Sequence, residues 1–326
     1  MKSVAAYKIC GLNLESNILL HELPKTDGVS VDCVFQLASR RKPPPVTGPW
    51  FHRWRLSDGR IWLSLAREGT DYLLRFRNLA DFIVCGDAKL VRCHPVPEVP
   101  LQTIRHLLFD QVMPIILSRR GRLVLHASAV ASRMGGIAFL GRGGQGKSTL
   151  ALSFCKEGFA LLTDDCLLLR EENEQFIGTP SYPGVRLWPD GISALFERKP
   201  AAHGVAHYNK KRRLGQDGAA PFCSEPVPLT HMYFLAQPRK TSGRGEPITI
   251  FRLSPQEAFM ELTRVAYLLD IGDREMLRQS FERISRLAMR PLFYRLAYRH
   301  EYSLLPAVGK AVIRHSTSGS LVQQGF

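Results

Sequence analysis

Residues 135–170 read GGIAFLGRGGQGKSTLALSFCKEGFALLTDDCLLLR, and they decide the fold. The apolar run Ile137–Leu140 has the composition of a buried strand, and Thr149–Lys156 carries no breaker and reads as a helix. Between them Gly141, Gly146, Lys147 and Ser148 satisfy G-x-x-x-x-G-K-[ST], the Walker A phosphate loop. Backbone N–H groups can wrap a polyphosphate only where side chains stay out of the way, which suits Gly141, Gly143, Gly144 and Gly146. The following helix adds free amides and a favourable dipole for an anion. A second apolar run, ALLT at 160–163, ends in the carboxylate pair Asp164-Asp165.

These residue types define a candidate nucleotide site. Gly141, Gly143, Gly144, Gln145, Gly146, Lys147, Ser148 and Thr149 are the expected binding residues, with Lys147 reaching the β and γ phosphates and Ser148 holding Mg²⁺. Two other readings use the same letters. A plain strand-to-helix turn needs no ligand. Gly141, Gly143 and Gly146 also spell the dinucleotide fingerprint G-x-G-x-x-G, with Asp164 about 20 residues further on. Lys147-Ser148 and the paired aspartates argue against the dinucleotide fold, whose helix needs neither a cation nor a metal-binding hydroxyl there.

Working outward, residues 1–98 read as a β-rich accessory domain. Period-2 alternation appears at 29–38, 59–66 and 71–85, and the proline cluster at 40–49 reads as a loop between strands. Trp50, Phe51, Trp54 and Trp62 are assigned to core or edge packing, with a substrate groove as the alternative. HPVPEVP at 94–100 marks the expected boundary, since three prolines in seven residues stop any helix. An α/β catalytic domain is expected over 99–315, opening with a helix that Pro114 kinks, and a disordered tail over 316–326.

The chain has 326 residues, 45% hydrophobic and 22% charged, enough for two cores. It has no long apolar N-terminal stretch and no run long enough for a membrane span, so a cytoplasmic protein with no membrane partner is expected. Its seven cysteines lack any C-x-x-C spacing, which points to reduced thiols and no zinc site. The formal net charge of +15 is dispersed, apart from SRRGR at 118–122 and KKRR at 210–213. Attraction for nucleotides and an acidic peptide explains that charge without a nucleic-acid partner.

His126 widens the pattern. It stands 21 positions before Lys147, and Asp165 stands 17 after Ser148. Histidine strand, second strand, glycine loop, helix and Asp-Asp strand follow in an order that resembles the catalytic domain of HPr kinase/phosphorylase. LHASAV, LLTDD and YPGVRLWPD look more like the divergent members, among them kinases of lasso-peptide precursors. The resemblance implies a fold similar to the HPr kinase C-terminal and PEP carboxykinase-like domains. It also implies ATP and Mg²⁺ as cofactors and a serine on a peptide or small protein as acceptor. Asp165 would then be the general base, His126 and Lys147 its catalytic neighbours, and Asp164 with Ser148 the metal holders.

The sequence also departs from that family. Where the family has Glu-Ile-Arg-Gly, this chain has Pro183-Gly184-Val185-Arg186, keeping the arginine and placing Gly184 at the glutamate's position. Asp190 and Glu197 are the candidate replacements. The loop linked to phosphorolysis has no counterpart, so the reverse reaction is not expected. HGVAHYNKKRRLGQDGAAPF at 203–222 reads as a mobile basic loop, from which Lys211, Arg212 or Arg213 could reach a transferring phosphoryl group, or simply face solvent. A metabolite kinase and a non-catalytic nucleotide-binding regulator stay open as alternatives, and so does a homo-oligomer.

Overall fold

A computed structural model describes residues 4–38, 46, 48–56, 58–215, 219–237, 247–268 and 272–318. Most of 39–47, all of 238–246 and all of 319–326 lie outside them. The chain divides into two units. The first comprises Met1–Gly121 with Val205–Asn209 and Leu268–Leu277, and the second takes Arg122–Gly204, Lys210–Tyr267 and Arg278–Phe326. Residues 99–121 thus group with the β-rich unit. Among the described residues, no helix is long and apolar enough to cross a membrane, and all seven cysteines are free.

The first unit is built on one sheet of nine strands among its described residues. Its pairings are antiparallel except where Cys33–Leu37 runs parallel to both of its neighbours. The stretch 71–85 forms two strands, Asp71–Phe76 and Ala80–Val84, turned at Asn78, which takes a left-handed backbone. Trp50–Arg55 is an edge strand, and Trp62 packs against Phe76 and Tyr208. The helix Leu101–Arg119 opens on Pro100 and widens into a π turn over Leu108–Val112. Pro114 lacks the N–H that would bond back to residue 110, and the wider turn just before it absorbs that loss. Of the clustered arginines at 118–122, Arg119 donates to the Gly86 carbonyl and Arg120 to those of Asp32 and Ala88. These two brace loops within the unit.

The second unit is a mixed α/β layer structure whose sheet also has nine strands among the described residues. Its main path runs Leu123–Leu125, Leu167–Glu172, Gln175–Thr179, Val227–Ala236, Gly135–Leu140, Ala127–Ser132, Ala160–Thr163. Phe293–Tyr298 adds to Val227–Ala236, and Ile248–Arg252 adds to Phe293–Tyr298. The run IAFL is apolar throughout because both faces of its strand are buried. Ile137 and Phe139 join one core with Leu150, Phe154, Tyr233 and Val308. Ala138 and Leu140 join the other with Met232, Leu262 and Leu287. The period of two along the strand divides the helices between the faces: Lys147–Lys156, Pro189–Leu195 and Leu305–Ser318 on one, Pro255–Val265 and Arg274–Ala288 on the other. Burying a phenylalanine such as Phe139 contributes roughly 2–3 kcal/mol.

The helix starting at Pro255 begins as its sequence indicates. Ser254 accepts from the Glu257 amide while Glu257 accepts from the Ser254 amide, a capping box with proline in the first turn. Besides the domain boundary, which falls at 121–122 and not at 94–100, two further expectations change. Residues 203–214 form the strands His203–Ala206 and Asn209–Leu214 where a loop was expected, with 216–218 outside the described residues. Residues 316–318, assigned to a disordered tail, complete the last helix, and 319–326 lie outside the described residues.

Candidate active site

Strand direction brings the candidate residues to one edge of the second unit's sheet. Gly135–Leu140 pairs antiparallel with Ala127–Ser132, which pairs antiparallel with Ala160–Thr163. The glycine loop leaving Leu140 and the Asp164-Asp165 turn leaving Thr163 therefore emerge at the same end. His126, one residue before a strand whose first residue pairs with Leu140, enters there too.

The glycine loop needs its glycines. Gly141 has φ 148°, and a Cβ there would sit 2.2 Å from the Gln145 side-chain oxygen, which accepts a hydrogen bond from the Arg142 amide. Gly146, with φ 82°, is the left-handed residue that starts the helix Lys147–Lys156. The ammonium of Lys147 is buried and donates to the carbonyls of Gly141 at 2.9 Å and Arg142 at 3.1 Å. Burial lowers its pKa, and the charges of Asp165 and Asp164 oppose that effect. Gly143 and Gly144 are exposed, and Gln145, Ser148 and Thr149 are half-buried around the helix start.

The two aspartates face different partners. Asp164 is buried and accepts from the Ser128 hydroxyl at 2.6 Å and from the Arg186 amide at 3.0 Å. Burial and then the neighbouring Asp165 raise its pKa, with Arg186, Ser128 and Ser148 pulling the other way. Asp165, in a left-handed backbone at φ 64°, turns its carboxylate to the Arg186 guanidinium and lies 3.3 Å from His126 Nε2. Burial pushes its carboxyl up, but Arg186 and His126 outweigh that and hold it well below the usual carboxylate range. Burial of one aspartate, and the arginine on the other, push their pKa values apart.

The departures from the family pattern now have causes. Gly184 has φ 127°, and a Cβ there would meet the Leu214 carbonyl and Arg213 Cγ at 3.2 Å. A glutamate at this position would be strained by that backbone and would need Arg213 and the Leu214 carbonyl to give by a few tenths of an ångström. Asp190 accepts from the Tyr302 hydroxyl at 2.8 Å, and Glu197 is exposed. Among KKRR, Arg213 lies over the Tyr182 ring, Arg212 is exposed, and the charge of Lys211 lowers the Asp165 pKa. Ser128 and the Asp165 partner role of Arg186 were not assigned from sequence. Ser128 lies two residues after His126, but His126 is a bend between two strands, so no strand periodicity links them.

A hard cation suits the donors present. The Ser148 hydroxyl bonds the Asp164 carboxylate, and all these donors are oxygen. Among the described residues no group of three or more His, Cys, Asp or Glu could hold a metal, so such an ion would take much of its coordination from phosphate and water. No protein-family profile matches the chain, and no curated protein matches it either. The chain is similar, at 18% identity and a TM-score of 0.28, to a structure of the Hpr(Ser) kinase/phosphatase from Coxiella burnetii. That likeness covers 51% of this chain and 97% of the other. At this score it carries none of the argument below.

Proposed function

We propose that the second unit is an ATP-dependent phosphotransferase acting on a serine hydroxyl of a peptide or small protein. The observation that carries this reading is the convergence of Lys147 on its glycine loop with Asp164, Asp165 and His126 at one sheet edge. In the proposed step the serine oxygen attacks the γ-phosphorus and a new P–O bond forms. The bond to the bridging β–γ oxygen breaks, ADP leaves, and the serine proton passes to Asp165. Lys147 moves its ammonium from the loop carbonyls to the β and γ oxygens. Mg²⁺, when held by Ser148 and Asp164, would neutralise phosphate charge.

Arg186 gives this site a second state. While paired with Arg186, Asp165 is a weak base. Phosphate oxygens compete for the guanidinium, and its release raises the basicity of Asp165 when nucleotide is present. The net charge of +15 favours an acidic acceptor peptide. A lasso-peptide precursor, the acceptor suggested by the sequence resemblance, is the first to try.

A nucleotide-binding regulator is the second reading, favoured by the clamped Asp165 and by Gly184 where the family carries its glutamate. Intact-mass analysis separates the two. The full chain is incubated with Mg·ATP and a panel of HPr protein, serine peptides and lasso-peptide precursors. Phosphotransfer adds one phosphate to an acceptor, and Asp165→Asn abolishes it. Nucleotide binding with no mass gained anywhere in the panel would favour the regulator.

A further inference from the structure

The phosphates account for only half of a nucleotide. Strand Phe293–Tyr298 runs parallel to Val227–Ala236, which runs parallel to Gly135–Leu140, so its C-terminal end also lies at the glycine-loop edge. A Cβ on Gly146 would lie 3.9 Å from the Tyr298 hydroxyl. The chain then turns through Tyr302–Leu304. Here the Tyr302 hydroxyl donates to Asp190 at 2.8 Å. A Cβ on Gly191 would be 3.5 Å from that hydroxyl and 3.8 Å from Thr149 Oγ1. The Asp190–Tyr302 pair is thus packed beside Thr149, the residue that follows Ser148 at the helix start.

The segment 186–191 links the two ends of such a site. Arg186 lies on Asp165, where the γ phosphate would react, and Gly191 lies beside Thr149. A triphosphate cradled by Gly141–Ser148 with its γ end toward Asp165 leaves the loop away from Asp165, along residues 188–191. Trp188 is exposed there, at 49%. Leu187 is buried in the core, so in this extended stretch Trp188 shares the face of Arg186. A carboxylate is the natural acceptor for a ribose diol. Tyr302, its pKa pushed up to about 12 by burial and by Asp190, stays a neutral donor that fixes the carboxylate.

We propose that Asp190, positioned by Tyr302, binds the ribose hydroxyls of a nucleotide whose phosphates occupy the glycine loop, and that Trp188 flanks the nucleoside. This rests on the nucleotide reading of that loop. The site therefore takes ribonucleotides in preference to deoxyribonucleotides. Trp188 is one of four tryptophans, and the other three, at 50, 54 and 62, belong to the first unit, so it is the optical probe of the second.

The test uses the full chain, calorimetry and tryptophan fluorescence, with Mg²⁺ present throughout. ADP is expected to bind about tenfold more tightly than 2′-deoxy-ADP, as a hydrogen bond to a charged group implies. Asp190→Ala is expected to erase that preference while leaving inorganic tripolyphosphate affinity unchanged, and Lys147→Ala to weaken all three ligands. ADP should change the fluorescence and tripolyphosphate should not, with the change absent in Trp188→Phe. If ADP binds in a Lys147-dependent way but Asp190→Ala keeps the preference, or Trp188→Phe keeps the signal, the nucleoside assignment is overturned and the phosphate loop stands. If neither ADP nor tripolyphosphate binds the unaltered chain, both fall.

Discussion

The second unit has two clusters of histidines and other titratable groups, one at the glycine loop and one midway along the sheet, and they have opposite character. At the glycine-loop end His126 is partly exposed and lies against Asp165, with Arg186 and Lys147 close by. Midway along the sheet His231, paired in register with Ile137, stacks on Tyr233 and Tyr294 and lies 5.7 Å, ring to ring, from His315. His315 accepts or donates at 2.9 Å to the Tyr233 hydroxyl, while His231 Nδ1 is buried without a partner among the described residues. Burial and the neighbouring His315 lower the His231 pKa to about 4. One cluster gathers acidic and basic side chains around the glycine loop. The other excludes charge and packs. A histidine in the sequence says little until its partners are known.

The sharpest contrast is expected in phosphoryl transfer. Lys147→Ala removes a cation aimed at developing phosphate charge and is expected to lower turnover on the order of 10²–10³-fold. His315→Ala, in the packing cluster, should change turnover less than about threefold. Steady-state kinetics of the two variants checks this, and equal losses would erase the distinction.

The second contrast is in acid stability. The folded-state pKa of His231 lies below its unfolded value of 6.5, so the unfolded chain binds the proton more readily. Its contribution is fully present above pH 6.5 and falls as the pH drops toward about 4. The loss amounts to at most about 3 kcal/mol. The groups facing it are Tyr233, Tyr294 and His315. Urea unfolding between pH 7 and pH 4 is expected to show a steep decline, flattened in His231→Phe. An unchanged slope in the variant would assign the acid sensitivity elsewhere.

A smaller effect is expected at Ser128. Ser128→Ala leaves the buried Asp164 with one donor fewer and lets its pKa rise further. The expected cost is about 1–2 kcal/mol in thermal unfolding, with a modest rise in KM for Mg·ATP. No change in either would mean that the bond does not position Asp164.

The sequence made much of this sheet edge readable, and particular residues show why. Gly141, Gly146 and Lys147 obey a spacing set by backbone chemistry, and the structure places the loop between strand and helix. The Ser254–Glu257 capping box joins residues only three apart, so it is a local feature. Non-local pairing was harder. The hairpin at 203–214 hid because the run KKRR looks solvent-facing while Arg213 is buried over Tyr182, beside only a few buried apolar positions, Val205, Ala206 and Leu214. The turn at Asn78 lacks glycine and proline, so 71–85 resembled one strand. Nothing in the local sequence announces that Arg186 reaches Asp165 or that Ser128 reaches Asp164, since both bonds span more than 20 residues.

The most direct test of the phosphotransfer reading measures ADP formed and phosphate gained by one acceptor peptide in the same reaction. The unaltered chain, Asp165→Asn and His231→Phe are compared at pH 7.5. Equal amounts of ADP and phosphopeptide are expected from the unaltered chain and from His231→Phe, and a fall on the order of 10²–10⁴-fold from Asp165→Asn. Full transfer by Asp165→Asn would contradict the assignment of this sheet edge as the catalytic one.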